Sequence, residues 1–403
     1  MSATAPLLDQ DEDHRPSDVE RLAPPRPPLR RFHTDPAKRD VNRSKVVIVS
    51  VALVLVLVTF TVQTELAAYI QADLGWSKPF MMMYVTHSSW ILLFPLQLLH
   101  VRLRQPSVRF RVLYRAHVHS LITTAQSIHD RYVASTQSLA YNATIVTLWL
   151  ALSLNVAAST WYVAVNLTTP SDLSAIYNAS AFFAYAWSVI LLGEAVRWDK
   201  VGAVILSVVG VVIVAYGGVQ DHTPGHEVEA SNRLIGNVII AIGSVGYGLY
   251  EVLYKRMACP PADMEPTPRD SIYFSNAVAA SIGLATLLTL WITLPFFHYL
   301  GVEIFEWPSK QVWVCLVISM VANFVFTAAF LTMVSLTNPV LSSVAALLSI
   351  FVIALTDMVI TGKPLTRNAL LGGFLIIVAF GVLAAATWRE LTEQEEGSEG
   401  SDE

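Results

Sequence analysis

Glu65, His87, Glu251 and Asp357 stand inside long apolar stretches of the chain, and an ionisable side chain in such a place is the first candidate for chemistry. Taking a titrating group out of water is costly, so residues that do it mark substrate or proton sites unless a partner or the membrane surface satisfies them. Glu65 lies towards the end of the stretch 46–70 and Glu251 towards the end of 234–255, where reaching interfacial water is an equal reading. His87, flanked by Thr86, Ser88 and Ser89, lies deeper; hydrogen-bonded packing is its plainer role and titration its sharper one. Tyr247, Tyr250 and Tyr254 run along one helical face beside Glu251, next to the small residues Gly243, Ser244 and Gly248. Rings beside a carboxylate suit a flat or cationic ligand. A belt of aromatics at a membrane surface calls for the same residues, and the two readings stay open here, as they do for Trp161 and Tyr162.

Over 170–193, Ser171, Ser174, Asn178 and Tyr185 recur at spacings of three, four and seven, so one stripe of a helix can hydrogen-bond while the rest is apolar. Tyr177 adjoins the stripe, and Asp172 falls in the first turn, where a carboxylate is favoured as a cap. Nothing in the pattern breaks covalent bonds: there is no phosphate-cradling loop ending in Gly-Lys-Ser/Thr, no His-Glu-x-x-His and no Gly-x-Ser-x-Gly. Two cysteines, Cys259 and Cys315, make no disulfide framework or metal cluster. The expectation is a protein that is not an enzyme and uses no cofactor.

Elements able to position these residues are set by composition. With 54% hydrophobic and 14% charged residues among 403, and a mean hydropathy of +0.51, the apolar residues must face lipid. Stretches long enough to cross about 30 Å of hydrocarbon as helices lie near 46–70, 79–101, 143–165, 170–193, 200–217, 234–255, 271–298, 312–335, 338–361 and 368–388. Residues 162–194 and 331–363 echo each other: Val165, Leu167, Thr168, Pro170, Ser174, Ser180, Phe182 and Gly193 return as Val334, Leu336, Thr337, Pro339, Ser343, Ser349, Phe351 and Gly362. Glycines eight apart, Gly202/Gly210 and Gly373/Gly381, extend the echo and predict close helix contacts in spans five and ten.

The fold class that follows is an all-α integral membrane protein with ten transmembrane helices, built as two five-helix repeats. Of 26 Lys and Arg residues, 21 fall on one side if the N-terminus is cytosolic, which places both termini in the cytosol. Five spans per repeat then make the halves inverted, a transporter signature. The domains read as a disordered cytosolic tail over 1–44, a first repeat over 45–218 with a basic cytosolic insert at 102–142, a second repeat over 219–390 and an acidic tail over 391–403. The net charge of −5 belongs largely to the tails and implies no nucleic-acid partner. Arg102, Arg104, Arg109, Arg111 and Arg115 in the insert either obey topology rules or rest on anionic lipid.

Lys78, Pro79, Phe80 and Tyr84, then Thr86 to Trp90 with Phe94 and Pro95, Asp172 to Ala175, and Tyr247, Gly248, Tyr250, Lys255 and Arg256 together resemble the drug/metabolite transporter superfamily. Over roughly 46–388 the likeness is to subgroup F of the solute carrier 35 family and its fungal vacuolar and thiamine-linked members. That resemblance implies a secondary transporter of a small polar or aromatic metabolite, thiamine-like or of nucleotide or nucleotide-sugar type, in a vacuolar or other endomembrane. It also implies a central cavity lined by spans one, three, four, six, eight and nine. Candidate binding residues are Glu65, His87, Ser174, Tyr177, Asn178, Tyr247, Tyr250, Glu251 and Ser343, with a proton as candidate coupling ion. A non-transporting scaffold or receptor of the same fold is the alternative.

Overall fold

A computed structural model describes residues 36–132, 138–165, 167–168, 176–177, 179–216, 230–260, 267–361 and 367–399. The described residues are helical, with turns and bends between helices. By their contacts Met1–Arg43 and Ser44–Glu403 are separate units; the features below belong to the second. The helices are α1 (Pro36–Ala68), α2 (Pro79–Ser88), α3 (Leu93–Arg104), α4 (Phe110–Tyr132), α5 (Leu139–Ala164), α6 (Ser180–Trp187) and α7 (Trp198–Tyr216). After them come α8 (Ala230–Ala258), α9 (Pro268–Leu290), α10 (Thr293–Tyr299), α11 (Lys310–Leu336), α12 (Pro339–Thr361) and α13 (Arg367–Glu399).

Local chemistry explains many boundaries. Ser138, Thr267 and Ser309 are extended residues whose hydroxyls accept from the N–H groups of Tyr141, Asp270 and Val312, capping α5, α9 and α11. Pro79 and Pro268 occupy first-turn positions, where a missing N–H costs nothing. The expected second span is broken into α2 and α3 by a 3-10 turn, Ser89–Leu92. Pro95 accounts for it: it cannot donate to the Ile91 carbonyl four residues back, and its ring crowds that oxygen. Gly193 stops the helical run after α6 with φ of 72°, a left-handed cap that residues with a Cβ rarely adopt.

Six segments are long and apolar enough to cross a membrane: Arg43–Gln71, Leu139–Ala164, Leu234–Ala258, Pro268–Tyr299, Lys310–Leu336 and Leu370–Arg389. The other expected ranges also hold helix among the described residues: α2 and α3, interrupted between them, the short α6, and the continuous α7 and α12. Spans five and ten, α7 and α13, pack along each other. The expectation about their glycines is met in part. A Cβ on Gly210 would lie 2.8 Å from the Gly372 carbonyl and 2.9 Å from the Ile376 side chain, whereas Gly202 and Gly381 have open space where a Cβ would stand. Near the site, a Cβ on Gly248 would lie 2.7 Å from the Ala184 amide and 2.9 Å from the Ser180 carbonyl, so only a glycine fits there.

The insert is not a bare loop. Its helix α4 packs on α3 and α9, where the amide nitrogen of Gln97 lies 2.8 Å from Nε2 of His117 and donates to the Tyr273 carbonyl at 3.1 Å. The His117 and Tyr273 rings meet edge to face at 5.2 Å. Burial, then the positive charge of Arg269, hold His117 below its ordinary pKa.

Candidate functional site

Two clusters of buried side chains occupy opposite ends of the same four helices. Along α1, Val56 belongs to the first cluster and Ala67 to the second; along α5, Leu150 and then Ala164. Along α8 the order reverses, with Ile240 in the second cluster and Tyr254 and Ala258 in the first, as it does along α11 with Leu316 and then Met333. A cavity with an open mouth lies between them. Its wall takes Phe60 and Gln63 from α1, His87 and Trp90 from the second span, Leu154, Ala158, Trp161 and Tyr162 from α5, and Tyr177 from the stretch before α6. Tyr247 and Tyr250 of α8 and Asn323, Phe326, Thr327, Phe330 and Leu331 of α11 complete it.

Rings dominate the wall. Tyr177 and Tyr247 lie 5.3 Å apart between centroids, Phe60 and Phe326 5.6 Å, and Phe326 stacks on Phe330 at 5.4 Å with an interplanar angle of 11°. Two asparagines hold the polar part. Asn155 of α5 sets its carbonyl oxygen 3.2 Å from Nδ1 of His87 and donates to the Thr286 hydroxyl at 2.8 Å and the Ala151 carbonyl at 2.7 Å. Asn323 of α11 accepts from the Trp90 indole N–H at 2.5 Å and donates to the Gln63 carbonyl oxygen at 2.8 Å. Thr86 and Tyr162 hydroxyls meet at 3.2 Å. Away from water each such bond is worth making mainly because leaving it unmade is costly.

Each end of the site is tied shut. At the first cluster, Lys255 donates to the carbonyls of Val334, Ser335 and Thr337 at 3.1, 2.8 and 2.8 Å, supplying the donors that the end of α11 lacks. Beside it Arg256 donates to the Leu191 carbonyl at 2.9 Å. At the second cluster the Glu303 carboxylate accepts from Phe80 N at 2.8 Å and Met81 N at 3.0 Å, capping α2 from the loop between α10 and α11. Lys78 pairs with Glu306 at 3.3 Å.

No family model matches the chain. It is 25% identical over 370 residues, 83% of its length, to an uncharacterized vacuolar membrane protein of Saccharomyces cerevisiae, covering 89% of that protein. It is 26% identical over 222 residues to an uncharacterized transporter of Schizosaccharomyces pombe, 54% of this chain and 62% of that one. Over 167 residues it is 30% identical to a subgroup F member of solute carrier family 35 from Bos taurus, which is 41% of this chain and 29% of that protein. The chain resembles subgroup F of solute carrier family 35. The drug/metabolite transporter likeness read from the sequence stands with it, and these relatives support a membrane transporter. A crystal structure 16% identical shares the fold with a TM-score of 0.54, over 86% of this chain and 98% of that one.

Of the residues expected at the site of this solute carrier 35 relative, the structure brings His87, Tyr177, Tyr247 and Tyr250 together on the cavity wall. Glu65 and Glu251 stand off it: Glu65 is half-buried two positions beyond Gln63, and Glu251, buried at 1% exposure, follows Tyr250. Ser174 and Asn178 lie outside the described residues, as do Asp172 and the side chains of Ser343 and Asp357. The second span, missing from the expected lining, contributes His87 and Trp90; span nine contributes nothing among the described residues. Sequence reasoning missed Gln63, Asn155, Asn323 and Thr327. The available signal was the four-residue recurrence of Ser319, Asn323 and Thr327 along α11, and an amide side chain, Gln63 or Asn155, inside an apolar span.

Proposed function

We propose that the chain is a secondary transporter that carries a small polar or aromatic metabolite, thiamine-like or nucleotide-type, by alternating access. The observation that carries this reading is an aromatic-walled cavity held between two packed clusters on the same four helices. Hydrogen-bonded ties near both ends of one cavity suit opening to one side at a time.

Helix pairing supports ten spans in two related halves. If α1, the α2–α3 pair, α5, α6 and α7 correspond to α8, α9, α11, α12 and α13, then α2 on α9, α6 on α12 and α7 on α13 are self-matching contacts. The pairs α2–α5 and α9–α11 answer each other, as do α5–α9 and α2–α11. The extensive α5–α8 contact has as its counterpart only a side-chain link between α1 and α11, the bond from Asn323 to Gln63. In this arrangement both termini are cytosolic, the Lys255 end faces the cytosol and the Glu303 end the opposite compartment, a vacuolar or other endomembrane lumen. Helix α4 then lies on anionic cytosolic lipid, with exposed Phe110, Tyr114 and Ile122 beside exposed Arg111 and Arg115.

The test is uptake of labelled metabolites by the full chain in proteoliposomes. Tyr250→Ala should lower uptake at least about ten-fold while the protein still purifies folded; undiminished uptake would remove the cavity from the pathway. A proton is the candidate coupling ion through Glu65 or Glu251. Uptake whose pH dependence survives in Glu65→Gln and Glu251→Gln would end that assignment.

A further inference from the structure

Resting on the transporter reading, and narrowing its substrate range to exclude nucleotides, we infer that the cavity selects a planar nitrogen heterocycle without phosphate, neutral or cationic, gripped between aromatic faces and read along its edge by Gln63, His87, Tyr250 and Thr327. The edge chemistry follows from which atoms the protein already uses. Asn155 gives both amide hydrogens to Ala151 and Thr286, so its oxygen is the acceptor facing His87 Nδ1. Nδ1 therefore carries the ring hydrogen, and Nε2 is left as an acceptor on a residue that lines the cavity. The Gln63 oxygen is taken by Asn323, which leaves its amide nitrogen as a donor. The Tyr250 hydroxyl and the Thr327 hydroxyl are buried on the same wall, each residue 2% exposed, and neither has a hydrogen-bond partner among the described residues. Buried polar atoms of this kind call for an explanation, and a ligand with alternating donors and acceptors supplies one. The edge of a nitrogen heterocycle is such a ligand.

Charge excludes phosphate. Among the described residues the wall carries no Lys, Arg, Asp or Glu. The nearest ionisable neighbours in sequence, Glu65 after Gln63 and Glu251 after Tyr250, are acids. A phosphate dianion entering this wall loses its water and meets no cation, a large penalty that Arg or Lys relieves in ordinary phosphate sites. Ring faces attract cations, so positive charge on the heterocycle is tolerated.

The decisive comparison uses matched pairs on the purified full chain in lipid nanodiscs: adenosine against adenosine monophosphate, and nicotinamide riboside against nicotinamide mononucleotide. Ligand binding raises the thermal midpoint. The phosphate-free member of at least one pair should bind, its phosphate ester should bind at least about ten-fold more weakly, and Gln63→Leu and Thr327→Val should each weaken the phosphate-free ligand. Equal or tighter binding of the esters, or no binding of any of the four at millimolar concentration, overturns the inference. Uptake of the same compounds in proteoliposomes separates the two claims. Binding of the phosphate-free ring without uptake supports this ligand class and defeats transport, whereas preferred uptake of an ester supports transport and defeats the class.

Discussion

Asn155 and Asn323 stand at near-equivalent places in the two halves, one fixing His87 from α5, the other holding Trp90 and Gln63 from α11. Asn155→Ala would leave the His87 ring hydrogen and the Thr286 hydroxyl without partners. The expected loss is about 1–3 kcal/mol, seen as a lower thermal midpoint of the full chain; an unchanged midpoint would show that the network is not stabilising. Sequence reading found the tyrosines because they recur on one helical face, and three of the residues it named, Tyr177, Tyr247 and Tyr250, sit together on the wall. It did not find Gln63, Asn323 or Thr327, although Ser319, Asn323 and Thr327 recur every four residues along one face of α11; such a stripe of small and neutral polar residues also serves ordinary helix packing. Attention went instead to the carboxylates of Glu65 and Glu251, which carry the larger desolvation cost but stand off the wall.

Helix α2 begins at Lys78 and Pro79, a start that was legible, yet its cap was not: Lys78 offers no side-chain cap and Glu303 supplies one from 223 positions away in sequence. No local pattern announces a cap delivered by the other half of the chain. Burial raises the Glu303 carboxyl above its ordinary 4.5, against the opposing pull of the Phe80 and Met81 N–H groups and of Lys78. The folded chain therefore binds this proton more tightly than the unfolded chain. The stability attached to it is complete below the ordinary value and is lost as pH rises through the raised one. Glu303→Gln removes that step. Between about pH 4 and pH 7, the thermal midpoint of the wild-type chain should fall relative to that of the variant. A wild-type advantage that grows with pH would mean that the ionised cap outweighs its desolvation.

For the molecule as a whole, helical character and long apolar segments were legible in composition, while the internal echo at 162–194 and 331–363 carries the proposal of two related halves. The place where the halves close around a cavity was not legible, since the clusters at its two ends draw on side chains from every part of the chain. The native cysteines happen to sit one in each: Cys259 in the cluster tied by Lys255, Cys315 in the cluster near the Glu303 cap. Alkylation rates of these two thiols, measured in nanodiscs on chains retaining only one of them through Cys315→Ala or Cys259→Ala, test alternation most directly. Lys255→Met removes the three bonds that hold the end of α11. If one cavity opens to alternate sides, Lys255→Met raises labelling of Cys259 and lowers labelling of Cys315. Labelling that rises at Cys259 with Cys315 unchanged, or rises at both, would contradict the account.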